Sequence, residues 1–380
     1  MIAKKETYKR RKNMIIMDIK ANNLYSFRNF HINMSHHDDI NDSLIEDEFL
    51  PGKINFKYKK LNIILGCNAT GKTSIGKLLM IFANYLQDGM HQRFFKIIDN
   101  PDETSHLYID FVTENNFLNR FKMDISPKKD ESTKEDVNIS IQQIPIYEDD
   151  SYENCLQRMK EARPASYDMI DSGGWHFSYP SDDLNNKDFY ELKDDEKYLD
   201  VLKCVLSVLD PSIKDIIKSK ELENTYIIQL NNKSIIIQDG EIIDKGILSS
   251  GTKAGLNISY IIASIINNNH DLYYCDELFS FVNTDIEKAC LSIIIEKLTA
   301  GKQLFFTTHN PEIIDMPLPL HSFTFLKKEV NDVNQPIKCI YASDYADSNM
   351  SSLKNAVEND LFCTAPDLDK LYDLDNTADI

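Results

Sequence analysis

The stretch Gly66–Thr73 reads Gly-Cys-Asn-Ala-Thr-Gly-Lys-Thr and fits the pattern Gly-x-x-x-x-Gly-Lys-Ser/Thr. The hydrophobic run Leu61–Leu65 before it predicts a strand. Apolar residues at helical spacing follow it and predict a helix to about residue 87: Ile75, Leu78, Leu79, Phe82, Ala83 and Leu86. A glycine-rich turn between a strand and a helix is the setting in which this pattern binds phosphate. The stretch therefore predicts a phosphate loop; the alternative is a glycine turn that only closes a strand–helix joint.

The residues of this loop have separate predicted roles. Backbone N–H groups of the turn and the positive end of the helix dipole favour a bound phosphate. Lys72 would bridge the β- and γ-phosphates, and the Thr73 hydroxyl would ligate Mg²⁺. The other predicted contacts with the nucleotide come from Gly66, Asn68, Ala69, Thr70, Gly71 and Ser74.

The composition indicates a folded, acidic protein. A chain of 380 residues with 42% hydrophobic residues allows two or three domains and a large core. The net charge of −18 argues against broad binding to nucleic acid but leaves room for a local basic groove. A basic arm opens the chain and is favoured as a solvated tail over a phosphate-binding arm; it holds Lys4, Lys5, Lys9, Arg10, Arg11 and Lys12.

Cysteine usage and hydropathy favour the cytoplasm. The seven cysteines are widely spaced, form no Cys-x-x-Cys and are typical of reduced thiols. Cys67, inside the phosphate loop, is favoured as a tolerated small residue over an oxidisable switch. No apolar run reaches the roughly 18 residues of a membrane span, and the charged N-terminus does not fit a signal peptide. We therefore expect a soluble, cytoplasmic protein that has no membrane partner.

The order of predicted elements indicates an α/β protein in two halves. The first half is rich in strands around one helix: Met14–Asn22, Phe30–Met34, Ile54–Leu65, Ser105–Thr113, Phe117–Ile125 and Val137–Ile146. Helical patterns follow at Tyr152–Ala165 and Tyr198–Val208, and then strands alternate with helices as in a parallel sheet. We predict a basic arm (1–13), an N-terminal half (14–147), a helical insertion (148–222), a C-terminal half (223–345), and a C-terminal helix with an acidic, partly disordered tail (346–380).

Polar side chains end two predicted strands of the second half. Asp276 and Glu277 follow the strand Asp271–Cys275. His309 follows Gln303–Thr308. Because parallel strands present their ends at one edge, we expect these side chains beside the phosphate loop. Asp276 would hold Mg²⁺, Glu277 would activate water, and His309 would contact the γ-phosphate and that water. Taken singly, such an Asp-Glu pair is usually a surface feature, and such a histidine is usually structural.

Four motifs together resemble the ATP-binding-cassette (ABC) ATPases of the RecF/SMC/Rad50 kind. They are Gly66–Thr73, the signature-like Leu248–Gly251, the pair Asp276–Glu277, and Thr308–Asn310. The resemblance implies an ABC-type P-loop fold with a mixed sheet, an N-terminal antiparallel β lobe and a helical insertion. It also implies ATP hydrolysis, with ATP and Mg²⁺ as ligands.

Two stretches are most similar to AAA-type ATPases of bacterial anti-phage systems. Ile247–Lys253 reads Ile-Leu-Ser-Ser-Gly-Thr-Lys, and Phe306–Pro311 reads Phe-Thr-Thr-His-Asn-Pro. These ATPases include overcoming-lysogenization-defect proteins, abortive-infection ATPases, and the ATPase subunits of Septu and PARIS. The resemblance implies an ATPase that gates a separate effector, such as a nuclease or toxin encoded nearby. The stretch after His309 is short for a nuclease domain, so we expect the effector on another chain.

The resemblance also implies that two copies share each nucleotide site. In this family the signature of one subunit caps the nucleotide held by the other, in a head-to-tail dimer. Ser249 and Gly251 would then meet the γ-phosphate in trans; alternatively, Ser249 only caps the helix that follows, and both roles can coexist. Three family residues lack a plain counterpart: the dimer-loop acid falls at Asn283, the Mg²⁺-contacting glutamine has Gln92, Gln142 and Gln143 as candidates, and an N-terminal arginine is Arg28 or is replaced by Tyr25.

Other functions stay open. A RecF/Rad50-like DNA-repair or DNA-clamp ATPase predicts salt-sensitive, ATP-dependent DNA binding. The hairpins and the signature fit a transporter subunit poorly. A scaffold that binds ATP and hydrolyses it slowly is a further alternative. Glu277→Gln separates it from the others, because this substitution should trap ATP and a dimer only where turnover is real. Outside the motifs, His36–Asp39 lies on a polar loop whose adjacent side chains point apart, so a metal site is not favoured there. Trp175 follows two glycines and is either an exposed contact or a buried anchor.

Overall fold

A computed structural model gives the chain an α/β fold with a mixed sheet, as predicted. The structure describes residues 14–36, 45–113, 115–127, 136–170, 173–179, 196–239, 241–243, 246, 248–329, 332, 334–345 and 353–362. The predicted basic arm (1–13) and residues 363–380, which include the whole predicted acidic tail, lie outside these residues, and the domain boundaries stay predictions. The helices are α1 (Lys72–Asp88), α2 (Gln92–Phe95), α3 (Tyr152–Arg158), α4 (Glu196–Leu209), α5 (Ser250–Ile266), α6 (Thr284–Lys297) and α7 (Leu353–Glu358).

The strands are numbered in chain order. They are β1 (Met14–Asn22), β2 (Phe30–Asn33), β3 (Phe49–Leu50), β4 (Lys53–Lys57), β5 (Leu61–Gly66), β6 (Ser105–Thr113), β7 (Phe117–Ser126), β8 (Asp136–Pro145), β9 (Arg163–Ala165), β10 (Trp175–Ser178), β11 (Ile213–Lys218), β12 (Thr225–Leu230), β13 (Ser234–Gln238), β14 (Glu241–Ile242), β15 (Leu272–Asp276), β16 (Gln303–Thr308), β17 (Phe323–Lys328) and β18 (Ile337–Tyr341). Short 3₁₀ helices lie at Met159–Glu161, Tyr167–Met169, Pro311–Asp315, Leu320–Ser322 and Ala342–Tyr345.

The central sheet has the order β10-β15-β16-β5-β17-β18. Neighbouring strands in this sheet are parallel, except that β17 and β18 are antiparallel to each other, so the sheet is mixed. The sequence predicted edge strands near Ser322–Leu326 and Ile337–Tyr341; the second is an edge strand, whereas β17 lies inside the sheet.

Both faces of the central sheet are covered, because its strands are apolar at successive positions. In β15, Tyr273 and Cys275 pack into one core, and Leu272 and Tyr274 pack into the other. Helices α4, α5 and α6 cover the first face, while α1 and the N-terminal sheet cover the second. The contact with α1 is close: a Cβ on Gly76 would lie 2.6 Å from the ring of Tyr274.

The N-terminal lobe is an antiparallel sheet, as predicted, with the order β2-β1-β6-β7-β8-β9. The hairpin of β6 and β7 lies where the sequence predicts it. The predicted strand Ile54–Leu65 is instead two strands, β4 and β5, separated by residues 58–60. Here β4 pairs with β3, and β5 enters the central sheet.

The stretch predicted as a helical insertion contains α3 and α4 and also strands that the sequence pattern did not reveal. The first predicted helix ends at Arg158 rather than Ala165, and Arg163–Ala165 pairs with β8. Pro164 lacks the N–H that a helix interior needs, which explains why the helix does not continue to Ala165. Trp175 is half-buried and begins β10, opposite Leu272 of β15. It therefore anchors this stretch to the central sheet. No helix among the described residues is long and apolar enough to cross a membrane.

Candidate nucleotide-binding site

The phosphate loop is a tight turn between β5 and α1. Gly71 caps α1 in the left-handed region, at φ 94°, which a residue with a side chain rarely adopts. A Cβ at Gly71 would also lie 2.9 Å from the ring of Phe27. The hydroxyl of Thr70 donates to the carbonyl oxygen of Cys67 at 2.8 Å. The turn therefore requires glycine at this position and is fixed by its own side chains.

Lys72 places a buried ammonium at the centre of this turn. Its Nζ donates to the carbonyl oxygens of Gly66 at 2.6 Å and Cys67 at 3.0 Å. It also lies 3.5 Å from Oε1 of Glu277. Burial lowers the pKa of Lys72, and the carboxylates of Glu277 and Asp276 oppose that shift. The structure thus joins the first predicted motif to the Asp-Glu pair of the second half.

Asp276 accepts hydrogen bonds from two hydroxyls. Thr73 Oγ1 donates to Oδ2 at 2.6 Å, and Thr307 Oγ1 donates to Oδ1 at 2.9 Å. The parallel pairing of β15 with β16 puts Asp276 opposite Thr307, so the sheet itself orients the carboxylate. Burial raises the pKa of Asp276, and the two hydroxyl donors counteract this. The oxygen donors of Thr73 and Asp276 suit Mg²⁺, a hard cation.

Glu277 and His309 complete the cluster. Nε2 of His309 lies 2.7 Å from Oε1 of Glu277, and its Nδ1 lies 3.4 Å from Nζ of Lys72. Glu277 has a left-handed backbone, at φ 51°, which is uncommon for a residue other than glycine. Its N–H donates to Thr307 Oγ1 at 3.0 Å, which helps to hold that conformation. Such strain persists where neighbours over-determine it, and functional sites are a frequent location.

The sequence matches no protein-family model and no curated protein. Among solved structures, it is similar to an SMC head domain bound to the C-winged helix domain of ScpA, with 13% identity and a TM-score of 0.50. That similarity covers 90% of this chain and 99% of the other. The chain has the fold of an SMC head domain.

Two further structures are similar at lower scores. One is an Smc head domain with an extended coiled coil, bound to the C-terminal domain of ScpA derived from Pyrococcus furiosus; identity is 11%, coverage 93% of this chain and 100% of that chain, and TM-score 0.49. The other is the recombination mediator RecF with the nucleotide ATPrS, with 12% identity, 87% and 99% coverage, and a TM-score of 0.40.

The predicted signature residues Ser249 and Ser250 are exposed at the start of α5. Ser249 caps the helix, because its Oγ accepts the N–H of Thr252 at 3.1 Å. A Cβ on Gly251 would lie 2.7 Å from the carbonyl oxygen of Phe281, so the two segments pack closely. Within the described part of the chain, no hydrogen bond joins Ser249 or Gly251 to Lys72 or Glu277. The capping role is therefore seen directly, and the trans role stays a prediction.

The residues sought as counterparts of other ABC-type residues lie elsewhere. Gln142 and Gln143 belong to β8, in the N-terminal sheet, and Gln92 begins α2. Asn283, the predicted place of the dimer-loop acid, caps α6 by accepting the N–H of Asp285. The guanidinium of Arg28 pairs with Asp99 and Glu103, each at 2.6 Å. The side chains of both acids are about half-exposed.

Sequence reasoning missed Tyr179, which follows β10. Because β10 runs parallel to β15, Tyr179 comes at the edge where Asp276 lies. Its hydroxyl is buried and has no hydrogen-bond partner among the described residues. Burial raises the pKa of Tyr179, and the charge of Asp276 and the nearby Tyr25 raise it further. A four-residue strand carries too little pattern for the sequence to predict this neighbour.

Glu287 was also missed, although it fixes the segment around His309. This buried carboxylate of α6 accepts from Thr308 Oγ1 at 2.9 Å and from Asn310 Nδ2 at 2.8 Å. Both donors flank His309 directly in the chain. Burial raises the pKa of Glu287, and the hydrogen bonds from Asn310 and Thr308 lower it. Glu287 is thus a positioning residue for the histidine rather than part of the cluster itself.

Replacing Glu287 with alanine should leave two buried donors without an acceptor and loosen the His309 segment. For the ATP hydrolysis that is proposed below, we expect turnover to fall by about 10- to 100-fold, since small misplacements of catalytic groups have effects of that size. The KM for ATP should change little, and Glu287→Gln should retain part of the rate. Glu296→Ala, an exposed carboxylate on the same helix, is the control. Equal losses in kcat and in thermal stability for both alanine variants would contradict the positioning role.

Proposed function

We propose that this chain binds ATP with Mg²⁺ and hydrolyses the bond between its β- and γ-phosphates. The observation that carries the proposal is the cluster of Lys72, Glu277 and His309, whose side-chain nitrogen and oxygen atoms lie within 3.5 Å of one another beside the Thr73–Asp276 pair. A basic phosphate ligand, a carboxylate base and an imidazole are the groups that phosphoryl transfer to water requires. The SMC/RecF-like fold agrees with this chemistry.

ATP would bind at the phosphate loop, and Mg²⁺ would bind to the side-chain oxygens of Thr73 and Asp276. The N–H groups before α1 and the Lys72 ammonium would bind phosphate oxygens, with Lys72 exchanging the carbonyls of Gly66 and Cys67 for them. Thr73 and Asp276 would hold Mg²⁺, and Thr307 would keep Asp276 in place. The metal supplies positive charge that neutralises the phosphates.

Hydrolysis would use Glu277 as the base. Its carboxylate takes a proton from water as the water oxygen attacks the γ-phosphorus, and the bond to the bridging oxygen breaks to release ADP and phosphate. His309 orients the carboxylate through its Nε2 and contacts the γ-phosphate. Lys72 offsets the negative charge that collects between the phosphates.

Lys72→Ala tests ATP binding. Because a hydrogen bond to a charged group contributes about 1.5–3 kcal/mol, we expect ATP affinity to fall by roughly 10- to 100-fold and turnover to be lost. Lys77→Ala is the matched control, since Lys77 is exposed one turn later on α1. Fluorescence titration with a labelled ATP analogue and a phosphate-release assay give the two readouts. Wild-type affinity and turnover in Lys72→Ala would overturn the proposal.

We further propose that two copies close over ATP head to tail. What supports this is the exposure of Ser249 at a helix N-terminus, where N–H groups and the helix dipole favour negative charge. Phe281, packed against Gly251, leaves 61% of its surface exposed, as an interface residue of a dissociated subunit would. Ser249 and Gly251 of one copy would then contact the γ-phosphate bound by the other.

The biological role that we propose is the ATPase of an anti-phage defence complex in the cytoplasm, gating a separate effector such as a nuclease or toxin. The stretches Ile247–Lys253 and Phe306–Pro311 support it by resemblance, and the net charge of −18 favours a protein partner over bare DNA. One similar SMC head is itself bound to a domain of another protein. Co-purification with the products of neighbouring genes, with and without ATP, tests this role; failure to retain any of them would count against it.

The alternative is a DNA-repair or DNA-clamp ATPase, which an SMC-like fold fits equally well. It predicts DNA binding that requires ATP and weakens steeply as salt increases. Binding of a labelled duplex at two salt concentrations separates the alternatives, because a defence ATPase that acts through a protein partner needs no such affinity.

A further inference from the structure

Two histidines and a glutamate meet on the side of the central sheet away from the phosphate loop. His36 follows β2, Glu48 precedes β3, and His321 precedes β17. One ligand atom from each lies within 4.8 Å of the other two. Because β5 and β17 are parallel, a group at the start of β17 is at the opposite edge from the loop that ends β5. The cluster is therefore separate from the proposed ATP site.

Glu48 and His321 form the buried half of this cluster. Nε2 of His321 lies 2.7 Å from Oε2 of Glu48, and the side chains are 2% and 7% exposed. The N–H of Lys60 donates to the other oxygen of Glu48 at 3.3 Å. A buried carboxylate next to an imidazole is a common pair in metal sites, where both are ligands.

His36 supplies the second imidazole of the cluster. Its ring stacks on that of His321, with centroids 4.3 Å apart and planes 8° from parallel. Both ring nitrogens are shielded from solvent and have no partner at full hydrogen-bonding distance and angle among the described residues, although a backbone group of Glu48 interacts with the ring. Buried polar atoms usually have a hydrogen-bond partner, so the ring nitrogens of His36 are candidates to bind a ligand.

A cavity gives access to these side chains. It has a volume of about 470 Å³ and is lined by His36, His321, Lys59, Tyr152, Tyr341 and Asp344. The cavity borders the His36 ring, and a turn of that ring would bring its shielded nitrogens to water or a metal ion in the cavity. The ammonium of Lys59 lies 4.1 Å from the centre of the Tyr341 ring, so a positive charge already lies in this cavity. Mg²⁺ and Ca²⁺ prefer oxygen ligands, whereas a set with two imidazoles favours an ion of the zinc type.

We propose that His36, Glu48 and His321 bind a divalent transition-metal ion of the zinc type, with water as the remaining ligand. Two imidazoles and one carboxylate form a known three-ligand set for such ions. A metal ion lies in the plane of each ring that ligates it, so His36 must rotate out of its stack when the ion binds. The bound ion would tie the loop after β2 to the start of β17, and thus the N-terminal sheet to the central sheet.

Zinc titration of the full chain tests the proposal. Protein dialysed against a chelator is titrated with Zn²⁺ in excess Mg²⁺, with a chromophoric chelator as competitor. We expect one equivalent to bind, and His36→Ala to weaken binding by at least about tenfold, since loss of even a supporting group has that effect. His106→Ala is the matched control, because His106 pairs with Asp124 at 2.6 Å on the surface and belongs to no group of three metal-ligating side chains among the described residues. Similar affinity in wild type and His36→Ala, or equal loss in both variants, would overturn the site.

Cobalt substitution covers the case in which His36→Ala folds poorly. Co²⁺ in the wild-type protein should give visible absorption bands of a low-coordinate nitrogen and oxygen site. Glu48→Gln, nearly the same in shape, should shift or abolish those bands, whereas His106→Ala should not. A near-ultraviolet thiolate band would place the ion on a cysteine and would contradict the assignment. Neither measurement depends on ATP turnover, so the metal site and the proposed ATPase can fail independently.

Discussion

Glu277→Gln is expected to lower the rate of ATP hydrolysis by about 10²- to 10⁴-fold, the usual contribution of a general base. The amide cannot accept the proton of the attacking water, although it has nearly the same shape. ATP binding should persist or become tighter, because the substitution removes a negative charge that lies 3.5 Å from Nζ of Lys72. Nucleotide should therefore remain bound, and the ATP-bound dimer should accumulate.

Single-turnover hydrolysis, nucleotide retention after gel filtration and light scattering measure these effects together. Glu312→Gln is the control, since it makes the same chemical change three residues after His309 at a carboxylate that is 60% exposed. If Glu277→Gln hydrolyses ATP at the wild-type rate, another group activates the water. If it neither binds nor hydrolyses ATP while Glu312→Gln does both, Glu277 serves to hold Lys72 rather than to catalyse.

The sequence predicted the residues of the cluster because their positions follow from local pattern and sheet geometry. A hydrophobic strand followed by a polar residue marks a strand end, and parallel strands bring those ends to one edge. Asp276, Glu277 and His309 obey this rule, and the structure brings them to Lys72. Their catalytic and metal-binding roles follow from chemistry that the fold alone does not test, and they stay predictions.

The parts that the sequence did not predict depend on long-range pairing. Strand β10 is four residues long, and only its pairing with β15 makes it a strand. In the sequence, Glu287 is one of several acidic residues on an amphipathic helix. Its hydrogen bonds with Thr308 and Asn310 depend on the packing of the end of β16 beside α6, which local sequence does not show. His36 and His321 lie far apart in the chain, so no local spacing could associate them. The prediction against a metal on His36–Asp39 considered neighbours in sequence; residues 37–39 lie outside the described residues, and His36 meets other partners.

The shared site predicts that two inactive variants restore activity when mixed. Lys72→Ala removes the phosphate ligand. Ser249→Asp keeps the helix cap, because aspartate caps as well as serine, but places a negative charge toward the γ-phosphate. Each variant alone should hydrolyse ATP at least about tenfold more slowly than wild type, since charge-assisted hydrogen bonds and like-charge repulsion have effects of this size. Ser249→Asn, a neutral residue that also caps well, should remain active and is the matched control.

In an equal mixture, random pairing makes half of the dimers mixed, and each mixed dimer has one intact site if the signature acts in trans. Turnover should then recover to about a quarter of the wild-type rate. If the signature acted on its own chain, every site would contain one defect, and mixing would restore nothing. The recovery should also rise with protein concentration, since it requires association of two different chains. A mixture no more active than the average of its components would contradict the shared site, while Lys72→Ala and Glu277→Gln would still test the chemistry within one chain.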